Sequence, residues 1–244
     1  GRITLGIVIA GAICKQILEN KGVLIGSHLK QIYNIKDVNF SSDEDSLKDE
    51  ILKMNDTDMA VLTESVKGDI IKCIEQAKAN QDSVGGIIET AILNLKGGIG
   101  EPFFDSIESV LSHLIFSIPA VKGIEFGKGF EFASLYGSEA NDQLEYIDYI
   151  KTKTNNNGGI NGGISNGMPI IIKTVIKPTP SISQKQNTVN IETKENTILD
   201  AMKVMRDKNI GFLIVEENDE VIAGKIQRNY YSFWWFFNYN RLSF

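Results

Sequence analysis

Arginine is scarce in this sequence, because Arg2 is the only arginine before residue 200. Sites that hold phosphates and carboxylates usually favour arginine, whose planar guanidinium binds them bidentately. The shortage therefore argues against an anion site that is built on arginine side chains. The formal net charge of -6 also argues against a nucleic acid or an anionic membrane as a partner.

Cysteines and long apolar runs are also few. Cys14 and Cys73 are the only cysteines, so no disulfide framework or zinc site is predicted, and we expect two small buried thiols. No spacing of metal ligands occurs, so no metal site is predicted. The apolar run at residues 3–13 is shorter than the roughly 20 residues of a membrane span. Because no cleavable leader precedes it, we expect a cytoplasmic protein.

The hydrophobic pattern predicts an α+β fold, because strands mix with long helices without a repeating βαβ unit. Helical spacing predicts helices, the first of them buried on most sides, at residues 4–20, 47–54, 59–79 and 104–116. Runs of β-branched residues predict strands at 23–33, 83–95 and 169–176, and a hairpin that pairs 120–126 with 130–136. Farther along we expect a strand near 188–193, a helix at 196–207, a strand at 211–217 and a turn at 218–219.

Two segments have the composition of ligand-binding loops. Residues 155–167 (NNNGGINGGISNG) place five glycines where backbone amides can approach a phosphate closely. Residues 177–181 (KPTPS) form a stiff turn that offers one cation and two hydroxyls. The alternative for the first segment is a flexible surface loop without a ligand. The second segment is explained equally well by a polar turn that ends a strand. His28 and His113 lie among apolar residues, so both are predicted to be packed, hydrogen-bonded core histidines.

Seven segments along the chain form a recognisable series: 1–13 (GRITLGIVIAGAI), 82–86 (DSVGG), 98–105 (GIGEPFFD), 117–127 (SIPAVKGIEFG), 137–142 (GSEAND), 155–167 and 177–181. Each is a weak pattern alone. In this order and at these intervals, they resemble the central part of the chorismate synthase family over residues 1–192.

This resemblance implies a fold, a reaction and a cofactor. The fold is a β-α-β sandwich, of which this chain would form part, usually in a homotetramer. The reaction is the 1,4-elimination of phosphate from 5-enolpyruvylshikimate 3-phosphate to give chorismate, with reduced flavin mononucleotide (FMN) that is not consumed overall. Position by position, the flavin-contacting residues are Pro119, Ala120, Gly162, Lys177, Pro178, Thr179, Pro180 and Ser181. Arg2 matches an arginine near the substrate's anionic groups.

The departures from the family pattern concern the catalytic groups. The segments that carry the family's two proton-donating histidines are missing, and neither His28 nor His113 corresponds to them, so no catalytic residue is assigned. The family's carboxy-terminal Arg-His-Asp-Pro-Cys segment is missing too. We therefore expect a fragment, and a catalytically inactive chain is the alternative to an active enzyme.

Residues 197–225 resemble instead the front half of a cystathionine-β-synthase-type (CBS) module, which often binds adenosine nucleotides. The expected division is a core at 1–192, a small αβ segment at 193–226, and an aromatic-rich tail of unknown role at 227–244. A nucleotide-sensing fusion is the corresponding alternative function.

If residues 197–225 pack as a small separate unit, the junction that precedes them should be accessible to protease. Limited proteolysis followed by mass spectrometry is expected to cut first between Thr193 and Thr197. Protection of this junction, with earlier cleavage inside the core, would contradict the boundary.

Overall fold

The computed structural model describes residues 2–147, 149–189, 196–199, 212–217 and 220–226. Its helices are α1 (Arg2–Glu19), α2 (Glu44–Asn55), α3 (Glu64–Ala79), α4 (Ile107–Phe116) and α5 (Gly137–Ala140). Its strands are β1 (Leu24–Ile32), β2 (Ile35–Lys36), β3 (Gly86–Leu93), β4 (Val121–Phe126), β5 (Leu144–Tyr146), β6 (Ile150–Thr152), β7 (Ile160–Asn161), β8 (Ile164–Ser165), β9 (Ile170–Ile176), β10 (Gln186–Val189), β11 (Asn196–Leu199), β12 (Phe212–Glu217) and β13 (Glu220–Ile226). Short 3₁₀ helices span Phe103–Asp105 and Gly129–Ser134.

The largest sheet has five antiparallel strands in the order β2-β1-β3-β9-β4. Strand β9 therefore lies between β3 and β4, although many residues separate it from both along the chain. The remaining described strands form two-stranded ribbons, β5-β6, β7-β8, β10-β11 and β12-β13. Long helices packed on an antiparallel sheet confirm the predicted α+β class.

The sequence of β9 distributes its side chains to two cores, because successive residues of a strand point to opposite faces. Ile170 and Ile172 are buried in the cluster that also contains Ile107 of α4. Ile171, between them, packs against the other cluster, which is centred on α2 and includes Ile51. A third cluster joins β1 to α3. Alternate isoleucines of β9 thus contribute to the cores on the two faces of the sheet.

A buried polar cluster sits at the junction of β1, β3 and α3. The Nε2 atom of His28 lies 2.9 Å from a carboxylate oxygen of Glu89, and the same oxygen accepts the Phe40 N–H at 2.8 Å. The other ring nitrogen, Nδ1, lies 3.6 Å from Oδ2 of Asp37. His28 is completely buried and its ring meets that of Phe40 edge-on. The prediction of a packed, hydrogen-bonded core histidine is therefore confirmed for His28.

Asp37 holds the segment that leads into α3. Its carboxylate accepts the N–H groups of Leu62, at 2.6 Å, and of Thr63, at 3.2 Å. The predicted helix at residues 59–79 therefore begins only at Glu64, after these tethered residues. Burial alone would raise the pKa of Asp37, but hydrogen bonds from Thr63, Val38 and Leu62 outweigh it and lower the pKa.

Helix α1 is much more exposed than its all-apolar sequence predicts. Ile9, Ile13 and Ile17 are each about half exposed, at 49%, 56% and 50%. The expected burial on most sides is wrong for the described chain, because only one side of α1 packs on β1. The same exposure corrects the prediction of a buried thiol for Cys14, whereas Cys73 is half-buried beside the α3 cluster.

The predicted hairpin of 120–126 with 130–136 does not form. The first half is β4, but residues 129–134 form a 3₁₀ helix. The reason is that the turn is bound elsewhere: the Gly127 N–H donates to Ile171 and the Lys128 N–H to Asn156, at 2.9 and 2.8 Å. The Phe130 N–H donates back to the Glu125 carboxylate at 3.3 Å, so the chain coils instead of returning as a strand.

The structure also differs from the prediction at the start of the expected helix 196–207. Residues Asn196–Leu199 form β11, which pairs with Gln186–Val189, the strand that was expected near 188–193. Cross-strand pairing prevails here over helical spacing, since Thr197 and Ile198 are β-branched. The rest of that predicted helix, the turn at 218–219 and the aromatic tail lie outside the described residues, whereas β12 confirms the predicted strand at 211–217.

We expect Asp37→Asn to destabilise the protein at neutral pH by about 2 kcal/mol, because hydrogen bonds to a charged acceptor are lost. The pKa of Asp37 is lowered on folding, so its carboxylate stabilises the folded state above the unfolded pKa, near 4. That stabilisation disappears as the pH falls through the lower folded pKa. Urea unfolding of parent and variant at pH 7 and in acid measures both effects.

Asp49→Asn is the matched control, because Asp49 is exposed on α2 and should leave stability unchanged. If Asp37→Asn unfolds like the parent at pH 7, the tethering role of Asp37 is wrong.

Candidate functional site

The glycine-rich segment, predicted as a loop without regular structure, contains a hairpin. Strands β7 and β8 pair Ile160 with Ser165 and Asn161 with Ile164. Gly162 and Gly163 connect them with φ values of +59° and +86°. Two central residues with positive φ define the tight primed turn that twists with its strands and that strongly prefers glycine. A β-carbon on Gly162 would meet nothing within 4 Å, so the tip of the hairpin is open on this side.

The hairpin rests on the segment that resembles the family at residues 98–105. The Ser165 hydroxyl donates to the Lys96 carbonyl at 2.7 Å, and the Ser165 N–H donates to Ile99 at 2.8 Å. At the tip, the Gly163 carbonyl accepts the N–H of Ile107, the first residue of α4, at 3.0 Å. The hairpin is thus attached to the start of α4 and is not a free surface loop.

Asp142 holds the chain just before the hairpin. Its Oδ1 accepts the Asn156 N–H at 2.7 Å and the Thr154 hydroxyl at 2.6 Å. Its Oδ2 accepts both the backbone N–H and the side-chain amide of Asn157, at 2.9 and 2.8 Å. Burial alone would raise the pKa of Asp142, but the hydrogen bonds from Thr154, Asn157 and Asn156 outweigh it and lower the pKa.

The turn at residues 177–181 follows directly from β9 and meets the segment before β4. The Lys177 N–H donates to the Ala120 carbonyl at 2.9 Å. The Ser83 hydroxyl donates to the Thr179 carbonyl at 2.7 Å. A β-carbon at Gly85 would lie 2.7 Å from the Ile176 carbonyl oxygen. Only glycine therefore allows residues 82–86 to pack this closely against the end of β9.

Ala120 adopts a strained backbone conformation, with φ of +74°. A non-glycine residue in this region costs of order 1–3 kcal/mol, and such residues cluster at ligand sites and switch regions. The carbonyl of Ala120 accepts the hydrogen bond from the Lys177 N–H. The structure therefore brings together two of the stretches assigned to the flavin, Pro119–Ala120 and 177–181.

Lys177 contributes a positive charge at this turn. Its side chain is exposed and forms no ion pair with the other described residues. Lys173, four residues earlier in the chain, forms an ion pair with Glu125 at 3.1 Å. Ser181 is buried, and Thr179 is half-buried. An exposed, unpaired lysine beside a rigid turn is suited to attract an anion.

Gly162 does not lie beside this turn. The hairpin contacts the first residues of α4, whereas Pro119 and Ala120 come after its last residue, Phe116. Ten helical residues span about 15 Å. Arg2 is the first residue of α1, and its side chain lies outside the described residues.

The two histidines occupy different environments, and neither lies at the hairpin tip or the 177–181 turn. His28 belongs to the buried cluster with Glu89. His113 is exposed on α4, so the prediction of a core histidine is wrong there. The reason is that α4 buries Ile107 and half-buries Leu111, while the side bearing His113 is uncovered.

The sequence pattern indicates no role for Asp142 or Ser83, although both belong to segments that resemble the family, GSEAND and DSVGG. An aspartate after a short helix and a serine before two glycines are common hydrogen-bonding residues of turns. The sequence pattern does not predict their hydrogen-bond partners, because Asn156 is distant from Asp142 along the chain and Thr179 is distant from Ser83.

Known proteins of one family match this chain in sequence and in fold. A sequence profile of the chorismate synthase family matches residues 1–216. The chain is 41% identical over 201 residues to a chorismate synthase of Dehalococcoides mccartyi, covering 82% of this chain and 54% of that protein. It is 40% identical over 210 residues to that of Methanocaldococcus jannaschii, covering 80% and 54%.

A crystal structure of a chorismate synthase superposes with a TM-score of 0.65 at 30% identity, covering 70% of this chain and 54% of that one. The chain thus spans about half the length of the relatives that it matches. No helix among the described residues is both long and apolar enough to cross a membrane. The profile match extends over most of the sequence, and this chain belongs to the chorismate synthase family.

Proposed function

We propose that this chain forms the flavin-binding part of a chorismate synthase. The enzyme eliminates phosphate from 5-enolpyruvylshikimate 3-phosphate to give chorismate, in aromatic amino acid biosynthesis. The observation that carries the proposal is the hydrogen bond of Lys177 to the strained Ala120, which joins two stretches that the family resemblance assigns to the flavin.

The residues present fit FMN in their donor set. Lys177 supplies an exposed cation and Thr179 a half-buried hydroxyl on the same rigid turn, whereas Ser181 is buried within it. Pro178 and Pro180 restrict the backbone of that turn, so little conformational entropy is lost when a ligand binds. When bound, reduced FMN takes part in the elimination and is not consumed overall.

The distance between the two candidate parts indicates how the ligand would lie. The hairpin tip at Gly162 and the turn at Lys177 are near opposite ends of α4, which are about 15 Å apart. One phosphate cannot contact both. An extended nucleotide that reaches from one part to the other is therefore favoured over a single phosphate cradle.

Substitution of the open glycine tests this arrangement. Gly162→Val is expected to abolish flavin binding, because a β-branched residue is disfavoured at positive φ and would fill the open side of the tip. Lys177→Ala should weaken binding less, since one solvent-accessible cation contributes only about 1 kcal/mol. Titration of FMN fluorescence with the purified proteins measures both.

Gly22→Val is the matched control for the glycine, because Gly22 has φ of +82° and no atom near its missing β-carbon. Lys48→Ala is the control for the lysine, since Lys48 is exposed on α2. Equal affinity of Gly162→Val and the parent would show that the hairpin takes no part in the site.

Turnover distinguishes an active enzyme from the inactive alternative. General acid-base groups contribute about 10²–10⁴-fold each, and neither histidine of this sequence corresponds to the family's proton donors. We expect no measurable chorismate when this chain alone is incubated anaerobically with reduced FMN and substrate. A rate near that of a complete relative, assayed in parallel, would contradict this.

We also propose self-association, with a tetramer as the family resemblance implies, and a cytoplasmic location. The exposed isoleucines of α1 support association, because large apolar surfaces are typical of interfaces, and light scattering would measure the mass. The CBS-like segment stays a proposal. Its strand β12 has the predicted position, while the family profile reaches residue 216, and titration with adenosine nucleotides would test it.

A further inference from the structure

A carboxylate with four donors stands at the base of the glycine-rich hairpin. Asp142 accepts two successive backbone N–H groups, from Asn156 and Asn157. Both of its oxygens are also bonded to side chains, Thr154 and Asn157. Such charge-assisted hydrogen bonds are shorter and stronger than neutral ones.

The residues that Asp142 fixes are in turn bonded to the rest of the site. The Asn156 side chain donates to the carbonyls of Glu139 and Ala140, at 3.2 and 3.3 Å. The Asn156 carbonyl accepts the Lys128 N–H at 2.8 Å. Asn156 is buried, so its backbone cannot shift without breaking contacts to two other segments.

The hairpin begins four residues after Asn156, and its first residue, Ile160, is buried in the cluster that contains Ile107. The Gly159 N–H donates to the Asn155 side chain at 2.7 Å. Between residues 158 and 163 the chain has four glycines, each with wide conformational freedom. The position of the tip is therefore set by the Gly163–Ile107 bond together with the bonds at its two ends, Asn156–Asn157 before it and Ser165 after it.

We propose that Asp142 is a positioning residue for flavin binding, which holds Asn156 and Asn157 so that the Gly162–Gly163 tip meets the ligand. The inference rests on the proposed function, since it assigns the tip to the flavin. Asp142 itself makes no contact with the ligand. It acts by removing conformational freedom from a glycine-rich segment before binding, which lowers the entropic cost of the bound state.

Asp142→Asn tests the role with little change in size. The amide has one acceptor oxygen and places an NH₂ group against donors, so FMN should bind about tenfold more weakly. Asp43→Asn is the matched control: Asp43 also accepts a backbone N–H and a hydroxyl, both from Ser46, but at the start of α2. Fluorescence titration with FMN, together with thermal unfolding of each variant, provides the comparison.

The expected result is weaker FMN binding by Asp142→Asn than by Asp43→Asn, measured at a temperature well below the midpoint of thermal unfolding of both variants. Unchanged FMN affinity in Asp142→Asn, while Gly162→Val loses binding, would overturn the positioning role. An equal loss of affinity in both aspartate variants would overturn it too, because the effect would then follow global stability.

Hydrogen exchange separates failure of this inference from failure of the proposed function. In Asp142→Asn, and not in Asp43→Asn, amides of residues 155–167 should exchange faster. If these amides exchange faster in Asp142→Asn but the parent does not bind FMN, Asp142 still orders the hairpin. The proposed flavin function would then be wrong. Unchanged exchange over 155–167 would overturn the role of Asp142 whatever binds there.

Discussion

Pairing of β9 on both sides is the constraint on which the rest of the structure depends. Its seven residues hydrogen-bond to β3 along one edge and to β4 along the other. The glycine-rich hairpin enters β9 at one end, and the 177–181 turn leaves it at the other. Because a strand is rigid along its length, the two parts of the candidate site are held apart at a fixed separation.

The same pairing explains the layers around the sheet. Alternate isoleucines of β9 face the α4 core and the α2 core, so helices can pack on both faces. Lys173, on this strand, lies opposite Glu89 on one side and Glu125 on the other. Together with His28, these residues form a row of ionisable groups across four strands, and such groups are tolerated in a core only when paired.

Hydrogen bonds support the candidate site and also hold one strained residue in it. Asp142 and Ser165 hold the hairpin, while Ser83 holds the turn through a carbonyl. The surrounding bonds compensate for the unfavourable backbone of Ala120. A site that is arranged before the ligand arrives loses less entropy on binding.

Many of the helices and strands could be predicted from the sequence, because the spacing of apolar residues indicates secondary structure. The strands around β1, β3 and β9, the helices α2 and α4 and the α+β class follow from spacing and β-branched residues alone. The pattern also identified the glycine-rich segment and the KPTPS turn, since few residue types permit such backbones. The errors fall where a distant partner decides: residues 130–136 coil because Gly127 and Lys128 are bonded to Ile171 and Asn156.

What the sequence by itself determined is the set of elements, the segments that place the chain in its family and the residue types at the candidate site. What only the tertiary structure decided is their grouping: Ala120 beside Lys177, Gly162 at the other end of α4, and Asp142 beneath the hairpin. The physical reason is that side-chain spacing encodes which face of an element is buried, whereas these contacts join residues far apart in sequence. Their pairing is set by the register of β9 between two strands, which no local pattern specifies.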